Sequence, residues 1–264
     1  MKGLYSKLIE IGERPLKSTD IVGGKYFVEG LLGKGSYGFT YLVKDQSNQI
    51  FVLKQLRKYK MLMESGRQAF KREANILKSL SHRAFPSFIE QFEENEKQFI
   101  VMEYKCGKTF EDLIFQDNIS FSETEAFKEL YHILLLVKHI HENGYVHRDL
   151  RIPNILKDVD DYYIIDFGLT RKLNDQNSIE EETVMHMEKR LFREVATKSD
   201  FYALGHFLLF LLYSRYEPVS KKKRSWEEEL SISIHAKKVI RKMLQIDEPY
   251  KEVQLLLDDV KKWL

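Results

Sequence analysis

Apolar positions change their period as the chain proceeds. From Lys25 to Gln55 (KYFVEGLLGKGSYGFTYLVKDQSNQIFVLKQ) short apolar and β-branched runs are broken by glycines, the pattern of a strand meander. Residues 64–80 then place Phe70, Ala74, Leu77 and Leu80 at helical spacing, so one helix interrupts the strands. Two more strands are predicted at 86–92 and 97–104. Beyond CGKT (106–109) the period becomes helical. Ser122 and Glu125 form a capping-box signal for a helix that Asn143-Gly144 would stop. Residues 145–170 return to short strands and turns, and 199–214, 234–245 and 250–263 read as helices. The prediction is an α+β chain of two lobes: a small antiparallel sheet with one helix at 25–102, a connector at 103–108, and a mainly helical lobe at 109–264. Ligands commonly occupy such seams. The extension at 1–24 carries an amphipathic stretch (Leu4, Leu8, Ile9, Ile11), expected to pack on the N-terminal lobe, with dimerisation as the alternative.

Composition narrows the class. With 264 residues, 43% of them hydrophobic, the chain can bury sizeable cores, and 5 Pro and 13 Gly leave no long linker composition. The single cysteine, Cys106, excludes an internal disulfide and fits a reducing, cytoplasmic setting. FYALGHFLLFLLY (201–213) falls short of the roughly 20 residues that span a bilayer, and His206 interrupts it, so it reads as a buried helix. The N-terminus lacks the apolar centre of a signal peptide. Basic and acidic residues balance at 42 to 40, which argues against a nucleic-acid partner, and KKKR (221–224) reads as a solvated loop.

Three stretches carry candidate chemistry. Gly33-Lys34-Gly35-Ser36-Tyr37-Gly38 lies between strand patterns with no helix after it, so it fits a flap over phosphates rather than a dinucleotide fold; a plain glycine hairpin is the alternative. Lys54 sits mid-strand among apolar neighbours, and Glu73 lies beside the apolar face of the following helix. An ion pair would explain both, whereas two surface charges would explain each alone. In HRDLRIPN (147–154) Asp149 can accept a hydroxyl proton and Asn154 can offer an amide oxygen to a cation. Asp166, at the end of the apolar strand YYIID, adds a carboxylate, and this oxygen set suits Mg²⁺. His139/His141 and Met185-His186-Met187 read as ordinary packing or loop residues.

Taken in order, GKGSYG, FVLK, Glu73, HRDLRIPN and DFG resemble the protein kinase catalytic domain, in the bacterial branch of the eukaryotic-type serine/threonine kinases, across residues 25–262. The resemblance implies the bilobal protein-kinase-like fold and ATP- and Mg²⁺-dependent transfer to Ser or Thr hydroxyls of proteins, its own included, with Mn²⁺ as a substitute metal. Gly33, Lys34, Gly35, Ser36 and Gly38 would cover the phosphates, and Lys54, held by Glu73, would contact them. Asp149 would serve as base, Arg151 would meet the γ-phosphate, and Asn154 and Asp166 would hold the metal. Thr40, Val52 and Leu156 would enclose adenine, Met102 would stand as gatekeeper, and the backbone of Glu103 and Lys105 would bond the base. Cys106 would lie at the nucleotide mouth. Leu77, Phe88, His147 and Phe167 match the family's regulatory spine, anchored by Asp200. A homodimer for trans-autophosphorylation is the implied self-association.

Several positions depart from the family. Thr40 replaces a usual valine, and Arg151 a usual lysine, a feature shared with some tyrosine kinases. No Ala-Pro-Glu is present; Glu188, twelve residues before Asp200, takes the glutamate's place with Lys251 as its expected partner. The stretch between the buried helix and residue 234 is abbreviated. Thr170, Ser178 and Thr183 are candidate phosphosites, Arg148 is a candidate phosphate partner, and Glu180–Glu182 are a candidate phosphate mimic or an exposed acidic loop. Two other readings stand beside this one: a nucleotide-binding pseudokinase scaffold, and a kinase-fold small-molecule phosphotransferase, which the abbreviated stretch would fit.

Overall fold

The computed structural model describes residues 13–173, 187–217 and 224–264. The chain divides into two compact units, Met1–Lys105 and Cys106–Leu264.

The first unit is a six-stranded antiparallel sheet. Its strands are β1 (Ile21–Val22), β2 (Tyr26–Lys34), β3 (Gly38–Lys44), β4 (Ile50–Leu56), β5 (Phe88–Glu94) and β6 (Lys97–Glu103), in the order β1-β2-β3-β4-β6-β5. Alternation sorts each strand's residues between the two sheet faces. Phe39, Tyr41 and Val43 of β3, Phe51 and Leu53 of β4, and Phe99 and Val101 of β6 bury one face with Tyr26 and Val28. The opposite face carries Thr40, Val52, Lys54 and Met102, tied together by the pairings Thr40↔Lys54 and Val52↔Met102. A short helix, α1 (Lys58–Met61), precedes α2 (Glu64–Ser79), which buries Phe70, Glu73, Ala74 and Leu77.

The sheet starts before Lys25, because β1 pairs with β2. Residues 13–16 also pack on this unit: the Leu16 amide donates to the Tyr41 hydroxyl at 3.0 Å, and the Lys58 amide donates to Glu13 Oε1 at 3.0 Å. Burial pushes the Tyr41 hydroxyl up to about 12, partly offset by the Leu16 amide. The amphipathic stretch at Leu4–Ile11 lies outside the described residues.

The second unit is built on helices. α3 (Phe110–Phe115) is followed by α4 (Glu123–Glu142), which begins with the reciprocal capping box of Ser122 and Glu125 and ends at Asn143. Gly144, at φ 78°, takes the left-handed turn that releases the chain. Then come β8 (Tyr145–Val146), a 3₁₀ turn (Ile152–Asn154), β9 (Ile155–Asp158), β10 (Asp161–Ile164) and β11 (Arg171–Lys172). β7 (Lys108–Thr109) completes a sheet of order β10-β9-β7, and β11 pairs with β8. The remaining helices are α5 (Met187–Arg193), α6 (Thr197–Tyr213), α7 (Trp226–Glu229), α8 (Ile234–Met243) and α9 (Val253–Val260).

The apolar run predicted as a buried helix is α6, buried over most of its length. A Cβ on Gly205 would meet Leu244 at 2.8 Å, so glycine lets the end of α8 close on α6. Trp263 stacks between Phe127 and His235 and donates to Glu123 Oε1 at 2.9 Å, fastening the C-terminal end to α4. Among the described residues no helix is long and apolar enough to cross a membrane.

Candidate active site

The glycine turn joins β2 to β3. Its three glycines differ in what requires them. A Cβ on Gly38 would lie 2.4 Å from the Gln55 carbonyl oxygen, so Gly38 is needed for β3 to approach β4. Gly33 has nothing within 4 Å of where its Cβ would be, and Gly35 has only the Gly38 oxygen at 3.8 Å. Among the described residues no packing demands glycine at these two positions, which fits a surface kept open for phosphates. Lys34 and Ser36 are exposed on this turn. Arg57, buried beneath it, donates Nε and Nη2 to the Gly35 carbonyl at 3.3 Å each. Tyr59 donates to the Ser36 carbonyl.

On the sheet face opposite the core, Lys54 Nζ meets Glu73 Oε1 at 2.5 Å, with side-chain exposures of 15% and 8%. Of the two readings left open by the sequence, the ion pair is the one observed. Thr40 and Val52 are half-buried on this face, and Met102 is buried. The Glu103 carboxylate accepts from the Ser87 amide and hydroxyl and from Lys105 Nζ, which also reaches the Arg83 carbonyl. These side chains are thus occupied by local contacts. In the second unit Leu156 is buried on β9, and Cys106 is exposed.

The HRDLRIPN loop follows β8 and is fixed from beneath by α6. Asp200, fully buried, accepts the amides of His147 at 2.9 Å and Arg148 at 2.7 Å and contacts His141 Nε2 at 2.9 Å. Burial works to raise the Asp200 carboxyl, but the hydrogen bond and charge of His141, with His147 and the Arg148 amide, hold it below its usual value. The anchoring lets Arg148 keep a left-handed φ of 68°. His147 Nδ1 accepts the Asp149 amide at 3.2 Å, which places the ring proton on Nε2. Burial lowers the His147 pKa and keeps the ring neutral, edge-on to Phe167 at 5.0 Å.

Asp149 is nearly buried, and both of its carboxylate oxygens are engaged. Arg151 forks onto them, Nε to Oδ1 at 2.8 Å and Nη2 to Oδ2 at 3.1 Å. Asn154 Nδ2 donates to the Asp149 carbonyl and to Oδ2, each at 2.9 Å, so its amide oxygen points the other way. Arg193 Nη2 adds a contact to Oδ1 at 3.2 Å. The Asn154 carbonyl accepts the Ile165 amide at 3.1 Å, which brings Asp166 alongside Asn154. Asp166 Oδ1 accepts the Gly168 amide at 3.0 Å. The Asn154 amide oxygen and the Asp166 carboxylate are hard donors on neighbouring backbone segments, and among the described residues no cluster of three His, Cys, Asp or Glu side chains is placed to hold a metal. Such oxygen donors fit a divalent cation that draws its remaining ligands from phosphate and water.

One expected phosphosite is corrected. Thr170 is fully buried and directs its hydroxyl to the His147 carbonyl at 3.5 Å, so no kinase can reach it in the folded chain. Arg148, expected to meet a phosphate, donates to the Arg193 carbonyl at 2.6 Å and the Leu169 carbonyl at 3.2 Å. Ser178, Thr183, Glu180–Glu182, the Met185–Met187 stretch through His186, the Glu188 side chain and Lys221–Lys223 lie outside the described residues. Sequence reading passed over Arg57 and Arg193. Each sits in a run of mixed charge and aromatic residues (KQLRKYK, MEKRLFR) where no period singles it out.

A lysine on the sheet paired with a glutamate on the following helix, and a carboxylate and an amide on a loop whose backbone rests on a buried aspartate, are the features of the protein kinase class. The protein kinase domain model matches residues 26–261, and the chain belongs to that family. It is 33% identical over 251 residues to the probable serine/threonine-protein kinase YbdM of Bacillus subtilis (strain 168), covering 95% of this chain and 93% of that protein. It is 28% identical to serine/threonine-protein kinase B of Synechocystis sp., covering 90% of this chain but only 46% of that longer protein. The kinase domain of Mycobacterium tuberculosis PknI superposes with a TM-score of 0.69 at 18% identity, covering 95% of this chain and 100% of that one, a likeness of fold.

Proposed function

We infer that the chain transfers the γ-phosphoryl group of ATP to serine and threonine hydroxyls of proteins. The observation that carries this reading is the Asp149 carboxylate, nearly buried and held by Asn154 and Arg151 over an amide platform anchored on Asp200. A scaffold that only bound nucleotide would have no use for a carboxylate so restrained.

In this mechanism Gly33 and Gly35 admit the phosphates close to the backbone, and Lys54, oriented by Glu73, supplies positive charge to their oxygens. Asn154 and Asp166 would hold Mg²⁺, which neutralises phosphate charge when bound. Arg151 is 55% exposed and so can leave Asp149 for the γ-phosphate, freeing a carboxylate oxygen for the acceptor hydroxyl. That hydroxyl gives its proton to Asp149, its oxygen bonds to the γ-phosphorus, and the bond to the bridging oxygen breaks so that ADP departs with the electron pair. Thr40, Val52, Met102 and Leu156 supply the apolar walls for adenine, and the backbone of Glu103 and Lys105 its hydrogen bonds. Autophosphorylation, in trans within a transient homodimer, belongs to the same reading.

The test is transfer from γ-labelled ATP with Mg²⁺ to a generic protein acceptor, run beside Asp149→Ala, followed by phosphoamino-acid analysis. Label on serine or threonine that is lost in the variant supports the proposal. Label on tyrosine alone would reassign the acceptor, and label unchanged in Asp149→Ala would remove Asp149 from the mechanism.

A further inference from the structure

We propose that Arg193, at the end of α5, is a positioning residue for Asp149; the proposal rests on the phosphotransferase reading above. Arg193 contacts the loop three times. Its Nη1 donates to the Arg148 carbonyl, its own carbonyl accepts Arg148 Nε at 2.6 Å, and its Nη2 lies 3.2 Å from Asp149 Oδ1. The first two contacts lock two backbone segments together, 45 positions apart in the chain. The third reaches the reacting carboxylate.

The support for Arg193 comes from the same helix that supports the loop. Its neighbour Phe192 packs on α6 against Tyr202 at 4.7 Å and His206 at 5.0 Å. Ser199 of α6 donates to the Glu194 and Ala196 carbonyls at 2.8 Å each, closing the turn between the two helices. Two arms thus reach the catalytic loop, one from α6 and one from α5, which packs on α6. Asp200 holds the amides of His147 and Arg148 from below, and Arg193 holds the carbonyl of Arg148 and the carboxylate of Asp149 from the side. Arg151 shares Oδ1 with Arg193 but is mainly solvent-exposed, whereas the Arg193 side chain is only 21% exposed. When Arg151 moves to phosphate, Arg193 remains as the cation on Oδ1, while Oδ2 keeps only the Asn154 bond and gains room for the acceptor.

A guanidinium can serve two acceptors at fixed angles, whereas an ammonium is a single point charge. Arg193→Lys therefore restores the charge without the fork. The experiment compares Arg193→Gln, Arg193→Lys and, as a control for charge loss on the same helix, the exposed Arg190→Gln. Steady-state kinetics are combined with hydrogen exchange of the 147–151 amides. The expected result is a kcat lowered about 100-fold in Arg193→Gln, partly recovered in Arg193→Lys, with KM for ATP within about twofold of the parent. Exchange at 147–151 should accelerate in Arg193→Gln and stay at the parent rate in Arg190→Gln. A kcat for Arg193→Gln equal to that of Arg190→Gln, with unchanged exchange, would overturn the proposal. If the parent protein itself transfers no phosphate, the phosphotransferase reading fails. Exchange then decides the remainder: accelerated exchange keeps Arg193 as the loop's tether, and unchanged exchange removes that as well.

Discussion

Asp200 accepts a 2.7 Å hydrogen bond from the backbone amide of Arg148, a residue whose φ of 68° is left-handed. A left-handed arginine costs about 1–2 kcal/mol, so it persists only where the surroundings over-determine it. Replacing Asp200 by alanine orphans the amides of both His147 and Arg148 in a fully buried site. The expected loss is about 3–5 kcal/mol in urea denaturation. A variant within experimental error of the parent would show that the amides find other acceptors.

Lys54→Met removes the cation and leaves Glu73 buried without its charge partner, so both activity and stability should fall. Glu73→Gln keeps an acceptor oxygen for Lys54 and should lose less. Initial rates should rank parent, then Glu73→Gln, then Lys54→Met, the last down by about 100-fold or more. Parent-like transfer by Lys54→Met would exclude Lys54 from phosphate binding.

The glycines of the turn should separate by assay. Gly38→Ala forces a methyl onto the Gln55 carbonyl and should lower the melting temperature by roughly 5 °C. Gly33→Ala meets open space, so it should melt with the parent while raising KM for ATP. A destabilised Gly33→Ala, or a stable Gly38→Ala, contradicts this division.

His147 sets a pH dependence. Its pKa is held below the ordinary 6.5, chiefly by burial. As pH falls through that ordinary value, the unfolded chain takes up a proton that the folded ring resists, so stability drops with falling pH. Asn at 147 offers an acceptor to the Asp149 amide but does not titrate. Melting curves between pH 7 and pH 5 should therefore be shallower for His147→Asn than for the parent. Parallel curves would mean that His147 contributes no such linkage.

Burial also predicts where phosphate does not go. Mass-spectrometric mapping after autophosphorylation should find Thr170 unmodified. Phosphate there would require Thr170 to leave its buried place against the His147 carbonyl.

The elements that sequence reading recovered are those whose cause is local. The capping box at Ser122 is encoded four residues wide, and α2 and α6 follow from apolar spacing or from a long apolar run. The ordered kinase motifs named Lys54, Glu73, Asp149, Asn154 and Asp166 together, and the structure supplies the 2.5 Å pair between the first two. Thr170 looks like a phosphosite in the sequence because solvent exposure depends on what covers a residue, and nothing near Thr170 in the chain encodes that cover.

Which glycine serves packing and which leaves room was equally hidden, since Gly38 is constrained by the carbonyl of a neighbouring strand and Gly33 by nothing among the described residues. The contact of Arg193 with Asp149 lay beyond any motif, because it joins two polar segments through geometry rather than periodicity. Short-range patterning, acting through backbone period and capping chemistry, was sufficient for the elements and the family. The assignment of partners to each charge came only with the folded chain, because burial and hydrogen-bond geometry arise from residues far apart in sequence.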